Sequence, residues 1–305
     1  MEITAQAPTR ISLFGAATDI PTYSDNFGGI CVNFAINLRQ HFIFGDARDN
    51  VYPVGADPHF YEKFFEEFDW HPVSTISTFD SVVESGIGAS AAAAVALVAS
   101  ACKAKGIEMT KDEIAEKAWD IEVNKIKLFG GKQDQYASTY GGANIFLFED
   151  KVYRYPIKRT KAENLKEYMV LFYLGKTRKS STIQEGFKEL SEPQIRALNE
   201  IKDIAYEAIG CLDDPEKIGR LLEKTWLWKK KSNQGVTNAK IDTIYYQGKF
   251  AGAWGAKVLG AGGGGHMLFI TPKERRIDLI GQLYNYGCEE IDFSFDWNGV
   301  ESRKS

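Results

Sequence analysis

Apolar positions along this chain follow two rhythms, one of alternating or β-branched stretches and one of helical spacing. Extended stretches over Ile3–Phe14 and Ile30–Phe44, and the β-branched run Val73–Phe79, predict strands. Helical patterns then take over. Ala89–Lys105 is an alanine-rich helix, and Thr110 with Glu113 three residues on forms a capping-box pattern ahead of Ile114, Ala118 and Ile121. A glycine corner at Phe129-Gly130-Gly131 leads through a short polar segment to a helix stop at Gly141-Gly142 and a strand over Asn144–Phe148.

The second half restarts with a strand at Tyr168–Leu174, after the charged stretch Lys158–Lys166, the expected boundary between domains 1–160 and 161–305. From Ser191, Ile195, Leu198, Ile201 and Ala205 share one helix face; Ile218, Leu221, Leu222 and Thr225 share another. A helix at Ile241–Gln247, a glycine run, a strand at His266–Ile270, a helix carrying Ile277, Ile280, Leu283 and Tyr284, and a strand near Glu290–Phe295 complete the chain. Strands and helices without regular βαβ alternation predict an α+β fold rather than a doubly wound sheet.

Composition narrows the class without naming it. The 305 residues suffice for two domains, and 44% hydrophobic with 26% charged residues is ordinary for a globular protein. The net charge of −4 gives no global attraction to nucleic acid or membranes. The small-apolar run Ala89–Cys102 is too short to cross a bilayer, and the amino terminus lacks a basic, then apolar, secretory pattern. Four widely spaced cysteines, at 31, 102, 211 and 288, read as free thiols in a reducing cytoplasm rather than a zinc or redox motif.

Three segments carry candidate chemistry. Ser85-Gly86-Ile87-Gly88-Ala89-Ser90-Ala91 stands between a strand and a helix, where glycines admit close backbone approach and the helix start offers free N–H groups to a phosphate. Ser90 adds a hydroxyl within reach of a phosphate-bound metal. The same residues fit a dinucleotide GxGxxA pattern, with Glu108 near the position of a ribose-binding acid, although Lys103–Thr110 reads as a helix-to-helix connection. Purely structural glycines are a third account. Gly175-Lys176-Thr177 is not a P-loop, because Val170 stands where the leading glycine belongs.

The run Gly260-Ala261-Gly262-Gly263-Gly264-Gly265 suits tight packing or ligand contact better than a tether, given its apolar flanks. Glu122 and Asp134 are carboxylates whose default is a solvated surface. Arg10 on a strand and Thr18-Asp19 on the following loop would by default make surface ion pairs, and His266 reads as structural.

Taken in order, Ala7-Pro8-Thr9-Arg10-Ile11-Ser12-Leu13-Phe14-Gly15, Gly86–Ala91 and Gly260–Gly265 resemble the three motifs of the GHMP small-molecule kinases. Ala17–Ser24, Gly131–Tyr136 and Trp226–Lys230 resemble the heptose 7-phosphate kinase branch, and the likeness runs from Ala7 to the last strand. It implies a two-domain α+β fold, with an amino-terminal domain like ribosomal protein S5 domain 2 and a ferredoxin-like carboxy-terminal domain. It also implies ATP and Mg²⁺ as cofactors, a small-molecule sugar phosphate as substrate, and no nucleic-acid or membrane partner; a homodimer is compatible with it. By the family pattern Gly86, Ile87, Gly88, Ala89, Ser90 and Ala91 bind ATP, Ser90 and Glu122 hold the metal, Asp134 takes the proton of the sugar hydroxyl, and Arg10 stabilises Asp134 or the moving phosphoryl. Asp19, Thr18, Gly262 and Gly263 are expected at the substrate, with Lys176, Arg178, Lys179 and Lys229 around its phosphate. Departures from the pattern are Val82-Val83-Glu84 before Ser85, Ala89 for a common serine, and Ala16 and Ala17 where glycines are usual.

Overall fold

The computed structural model describes residues 2–45, 50–52, 56–82, 85–175, 183 and 185–305. Two antiparallel sheets organise them. The first follows the order β10-β1-β2-β4-β5, with β3 also on β2: β1 is Ile3–Phe14, β2 Gly29–Gly45, β3 Ser74–Phe79, β4 Ala143–Phe148, β5 Val152–Pro156 and β10 Glu301–Lys304. The second has the order β7-β8-β6-β9, from Gly255–Val258, His266–Ile270, Met169–Tyr173 and Glu289–Ile291. Counted along the chain, that is the 4-1-3-2 order of a ferredoxin-like unit.

Long strands form where every second residue, or nearly all, can be buried. β1 is buried along almost its whole length, and β2 places Ala35 opposite Arg10 and Asn33 opposite Ser12. Helix α3 (Ala89–Lys105) runs buried on every side from Ala91 to Cys102, which its small alanines allow by close approach to the sheet. The capping box at Thr110 is present and starts α4 (Lys111–Asp120); a second one, at Ser191 with Gln194, starts α7 (Glu192–Ile209).

Four elements leave little trace in the apolar pattern: α1 (Pro21–Phe27), α2 (Pro58–Glu67), β5 and β10. The charged stretch expected as a boundary is instead helix α6 (Arg159–Lys166), which buries Ala162 and Leu165. Nor does a cut at residue 160 separate the sheets, because β10 returns to pair with β1. One apolar core joins both halves, with Ile11, Leu13 and Phe34 of the first sheet in the same cluster as Leu171, Leu268 and Leu221 of the second unit. Burying both inner faces in one core fixes the halves against each other, and the cleft described next lies along their seam.

Candidate active site

Arg10 enters the seam from β1, and Asp134 from the first turn of α5 (Gln133–Tyr140). Arg10 Nε and Nη2 donate to Asp134 Oδ1 and Oδ2, each at 2.7 Å, and Nη1 donates to the Gly86 carbonyl at 2.8 Å. Arg10 is 4% exposed while Asp134 stays partly open to the cleft, so in place of a surface pair Arg10 makes a bidentate one with its cation buried. A Cβ on Gly88, whose φ is +80°, would stand 3.3 Å from Asp134 Oδ2, so glycine lets the loop lie against the pair.

Gly88 also begins α3, whose first N–H groups open on the same cleft, a suitable place for phosphate oxygens. Glu108 lies beyond the end of that helix on no strand, and β3 pairs antiparallel with β2, so the dinucleotide alternative lacks its βαβ unit. Gly86, Gly88, Ala89, Ser90 and Ala91 line the cleft, but Ile87 does not. Its side chain is fully buried in the core and its carbonyl accepts from the Arg10 N–H, correcting the expectation that it touches ATP.

Ser90 Oγ donates to Glu122 Oε1 at 2.5 Å, and Gln135 Nε2 donates to Oε2 at 2.7 Å. Glu122 is 5% exposed and not solvated as an isolated acid would be. It sits where α4 widens into an i→i+5 turn over Ile121–Lys125, closed by Ile126 N–H to the Ile121 carbonyl. Burial pushes its carboxyl up to about 7, against the two hydrogen bonds that favour the anion. A buried carboxylate with no salt-bridge partner among the described residues, beside a hydroxyl, is a hard-oxygen donor set short of positive charge. No cluster of three or more His, Cys, Asp or Glu suited to a metal occurs among the described residues. Such a site fits a Mg²⁺ ion whose remaining ligands are phosphate oxygens and water.

The glycine run meets the phosphate loop backbone to backbone. A Cβ on Gly260 would lie 2.6 Å from Gly86 Cα, and one on Gly265 would lie 2.3 Å from the Ser85 carbonyl oxygen. His266 is structural: its backbone N–H and Nδ1 both reach the Ser85 carbonyl, and burial lowers the ring's pKa to about 4. Gly262 and Gly263 are buried just behind the cleft lining and are not part of it. They pack on the Val236 backbone, which corrects their assignment to the substrate.

Lys229, on α8 (Pro215–Ser232), reaches the cleft lining but gives its Nζ to the Val258 and Gly260 carbonyls at 2.9 and 2.6 Å. It braces the glycine run instead of standing free for a substrate phosphate. Burial, then the charges of Lys257 and Arg10, push its pKa well below the lysine range. Lys257, which the sequence does not single out, is fully buried on β7 and donates to the Ser12 and Leu13 carbonyls, tying the second sheet to β1.

Thr18 also differs from expectation. Its hydroxyl, fully buried, shares its one proton between the Gly15 and Ile30 carbonyls, at 2.8 and 2.9 Å, and accepts from the Ile30 N–H, leaving nothing for a substrate. Ala17 beside it adopts φ +75°, the left-handed conformation that the family's usual glycine takes without a steric cost. Asp19 Oδ1 accepts from Gln133 Nε2 at 2.8 Å and Oδ2 from the Gln133 N–H at 3.0 Å; burial, then the charge of Asp134, push it up to about 6. Lys176, Arg178 and Lys179 lie outside the described residues, as does Glu84.

These groups converge on a cleft of about 420 Å³. Buried polar atoms without partners among the described residues also line it, the hydroxyls of Ser12 and Ser85 and the amide oxygens of Gln133 and Gln135. The two glutamines flank Asp134 in sequence, the one signal that could have marked them.

A phosphate-suited helix start, a buried carboxylate–hydroxyl pair and an Arg-held aspartate in one cleft define a phosphotransferase of small molecules. Residues 58–142 match the model of the GHMP kinases N terminal domain and residues 205–287 that of the GHMP kinases C terminal. The chain belongs to the GHMP kinase family, whose members transfer a phosphoryl group from ATP. It is 29% identical to D-glycero-alpha-D-manno-heptose 7-phosphate kinase of Campylobacter jejuni subsp. jejuni, over 98% of each chain. It is 26% identical to mevalonate kinase of Pyrococcus abyssi over 90% of each. Its fold superposes with a TM-score of 0.80 on the crystal structure of a D-glycero-D-manno-heptose 1-phosphate kinase from Bacteroides thetaiotaomicron, at 24% identity over 99% of both chains.

Proposed function

We propose that this GHMP kinase transfers the γ-phosphoryl group of ATP to the anomeric hydroxyl of D-glycero-D-manno-heptose 7-phosphate, with Mg²⁺. The observation that carries the reading is the bidentate Arg10–Asp134 pair beside the start of α3. Phosphoryl transfer needs positioning and charge neutralisation rather than a covalent nucleophile. Asp134 takes the proton of the sugar hydroxyl as its oxygen bonds to phosphorus, and ADP leaves with the electron pair of the broken P–O bond. Arg10 holds both Asp134 oxygens from one side and, through Gly86, sets the distance between base and phosphate loop. Gly86, Gly88 and the first N–H groups of α3 receive the ATP phosphates. Ser90 and Glu122 would hold Mg²⁺, which supplies charge neutralisation to those phosphates when bound.

Heptose 7-phosphate rests on the likeness over 98% of the chain to a kinase of that name and on the Ala17–Ser24 and Gly131–Tyr136 segments. The basic Lys176, Arg178 and Lys179, named from the sequence alone, are the proposed partners of the sugar's own phosphate. The four free thiols accord with a cytoplasmic enzyme. No helix among the described residues is long and apolar enough to cross a membrane.

The deciding measurement is ADP release with Mg-ATP against heptose 7-phosphate, heptose 1-phosphate, mannose, fucose, galactose and mevalonate. Turnover confined to heptose 7-phosphate is the expected result. Turnover on another compound reassigns the substrate, and ATP binding without turnover on any of them favours a sugar sensor on the same fold.

A further inference from the structure

We propose that Gln135 is a positioning residue of the metal site: its amide N–H fixes the plane of the Glu122 carboxylate, keeping Oε1 beside the Ser90 hydroxyl so that the two oxygens receive Mg²⁺ together. Gln135 Nε2 donates to Glu122 Oε2 at 2.7 Å and Ser90 Oγ to Oε1 at 2.5 Å, so each carboxylate oxygen has one neutral donor. The donors stand on α5 and α3, and the carboxylate on the turn that extends α4. A carboxylate gripped at one oxygen can still turn about its last side-chain bond, which is soft; gripped at both oxygens by different helices, it keeps one plane. Partners of this kind, one step behind a ligand, set the affinity of many metal sites.

Packing alone does not account for an amide at this position. Facing an ionised carboxylate, which only accepts, Gln135 presents its NH₂ group and turns Oε1 away. That oxygen is buried without a partner among the described residues, on a side chain 5% exposed at the cleft. A buried carbonyl left unpaired destabilises the fold, so an apolar side chain of the same size would pack better; what the amide gains is its hold on Glu122.

Glu116 fixes the spacing between the two elements. It lies on α4, and its carboxylate accepts from Lys132 Nζ at 3.0 and 2.7 Å and from Tyr136 Oη at 2.8 Å, so α5 is attached to α4 on both sides of Gln135 in sequence. Gln135 also follows Asp134 directly, and these successive side chains go to Glu122 and to Arg10. The first turn of α5 therefore ties the proposed base to the proposed metal ligand.

The inference rests on Glu122 being a ligand of the metal, and it is tested by a binding measurement that needs no acceptor. Mn²⁺ takes the same oxygen donors as Mg²⁺, so the ADP affinity of the whole protein is measured once with Mn²⁺ and once with EDTA, with Glu122→Gln as the reference variant. Gln135→Leu should weaken ADP binding about ten- to hundredfold in Mn²⁺ and by less than about twofold in EDTA, in step with Glu122→Gln. On whichever acceptor the wild-type enzyme turns over, the Mg²⁺ concentration for half-maximal rate should rise about tenfold or more, with the acceptor KM within about twofold.

Equal weakening with Mn²⁺ and with EDTA would make Gln135 a packing residue only, and a raised acceptor KM with Mn²⁺ binding unchanged would make it a contact of the acceptor; either result overturns the proposal. If Glu122→Gln weakens ADP binding in Mn²⁺ and Gln135→Leu does not, the role of Gln135 alone falls. If neither variant changes it, the assignment of Glu122 to the metal fails, and the role of Gln135 with it. Should Gln135→Leu not fold, Gln135→Met, closer in shape to glutamine, decides by the same two measurements.

Discussion

Arg10 and Asp134, 124 positions apart, meet through two parallel hydrogen bonds of 2.7 Å across the seam between β1 and α5. The third arm of the guanidinium reaches the Gly86 carbonyl at 2.8 Å. One buried cation therefore couples the proposed base to the phosphate loop, and only the planar fork of arginine can do both at once.

Asp134→Asn keeps the shape of this pair and removes the proton acceptor. ADP release should fall by about 10²- to 10⁴-fold, with nucleotide affinity nearly unchanged in a binding titration. Turnover close to wild type would remove Asp134 from the role of base.

Glu122 links the proposed metal site to pH. Its carboxyl titrates at about 7 in the fold against 4.5 as a free group, so the native state binds the proton more tightly than the unfolded chain. The stabilisation from this protonation is fully present below pH 4.5 and is lost as pH rises through 7. Without divalent cations, Glu122→Gln should therefore be more stable than wild type at pH 8 by about 3 kcal/mol, the gap closing toward pH 4.5. Thermal melts across pH check this, and a Mg²⁺ titration of turnover should show a raised metal requirement.

Gly260→Ala would drive a methyl group into the Gly86 backbone, from a φ of +60° that alanine already disfavours. Neither loop can give way by a rotamer change. Stability should fall by at least about 1–3 kcal/mol and the KM for ATP should rise; an unchanged melting temperature would show that the two loops do not bear on each other.

Thr18→Val removes a buried hydroxyl that serves three backbone groups. A stability loss of about 1–3 kcal/mol is expected in chemical denaturation, with the acceptor KM unchanged. A raised KM without loss of stability would return Thr18 to the substrate.

Local signals in the chain located most elements. The bounds of β1, α3 and β8 coincide with the residues of their patterns, and both Thr110 and Ser191 make capping boxes. α1 and β10 escaped because they are short and lack a period long enough to register; β10 exists by pairing with β1 at the far end of the chain. Within the site, the glycines of Gly86–Ala91 and Gly260–Gly265 were legible because their clustering marks close approach. Lys229 and Thr18 misled because residue type says nothing of which partner a side chain finds.

The sequence alone determined the α+β class, the order of the longer elements and the helix start that suits a phosphate, since all three follow from periodicity and backbone preference within a few neighbouring residues. Tertiary structure decided which charged and polar groups are partners. Arg10 finds Asp134, Ser90 finds Glu122, Asp19 finds Gln133, and Lys257 crosses from the second sheet to β1. Burial removes water as the competing partner, so each of these groups must be satisfied by whatever the packed core places beside it, and that is fixed only when both halves close on one core.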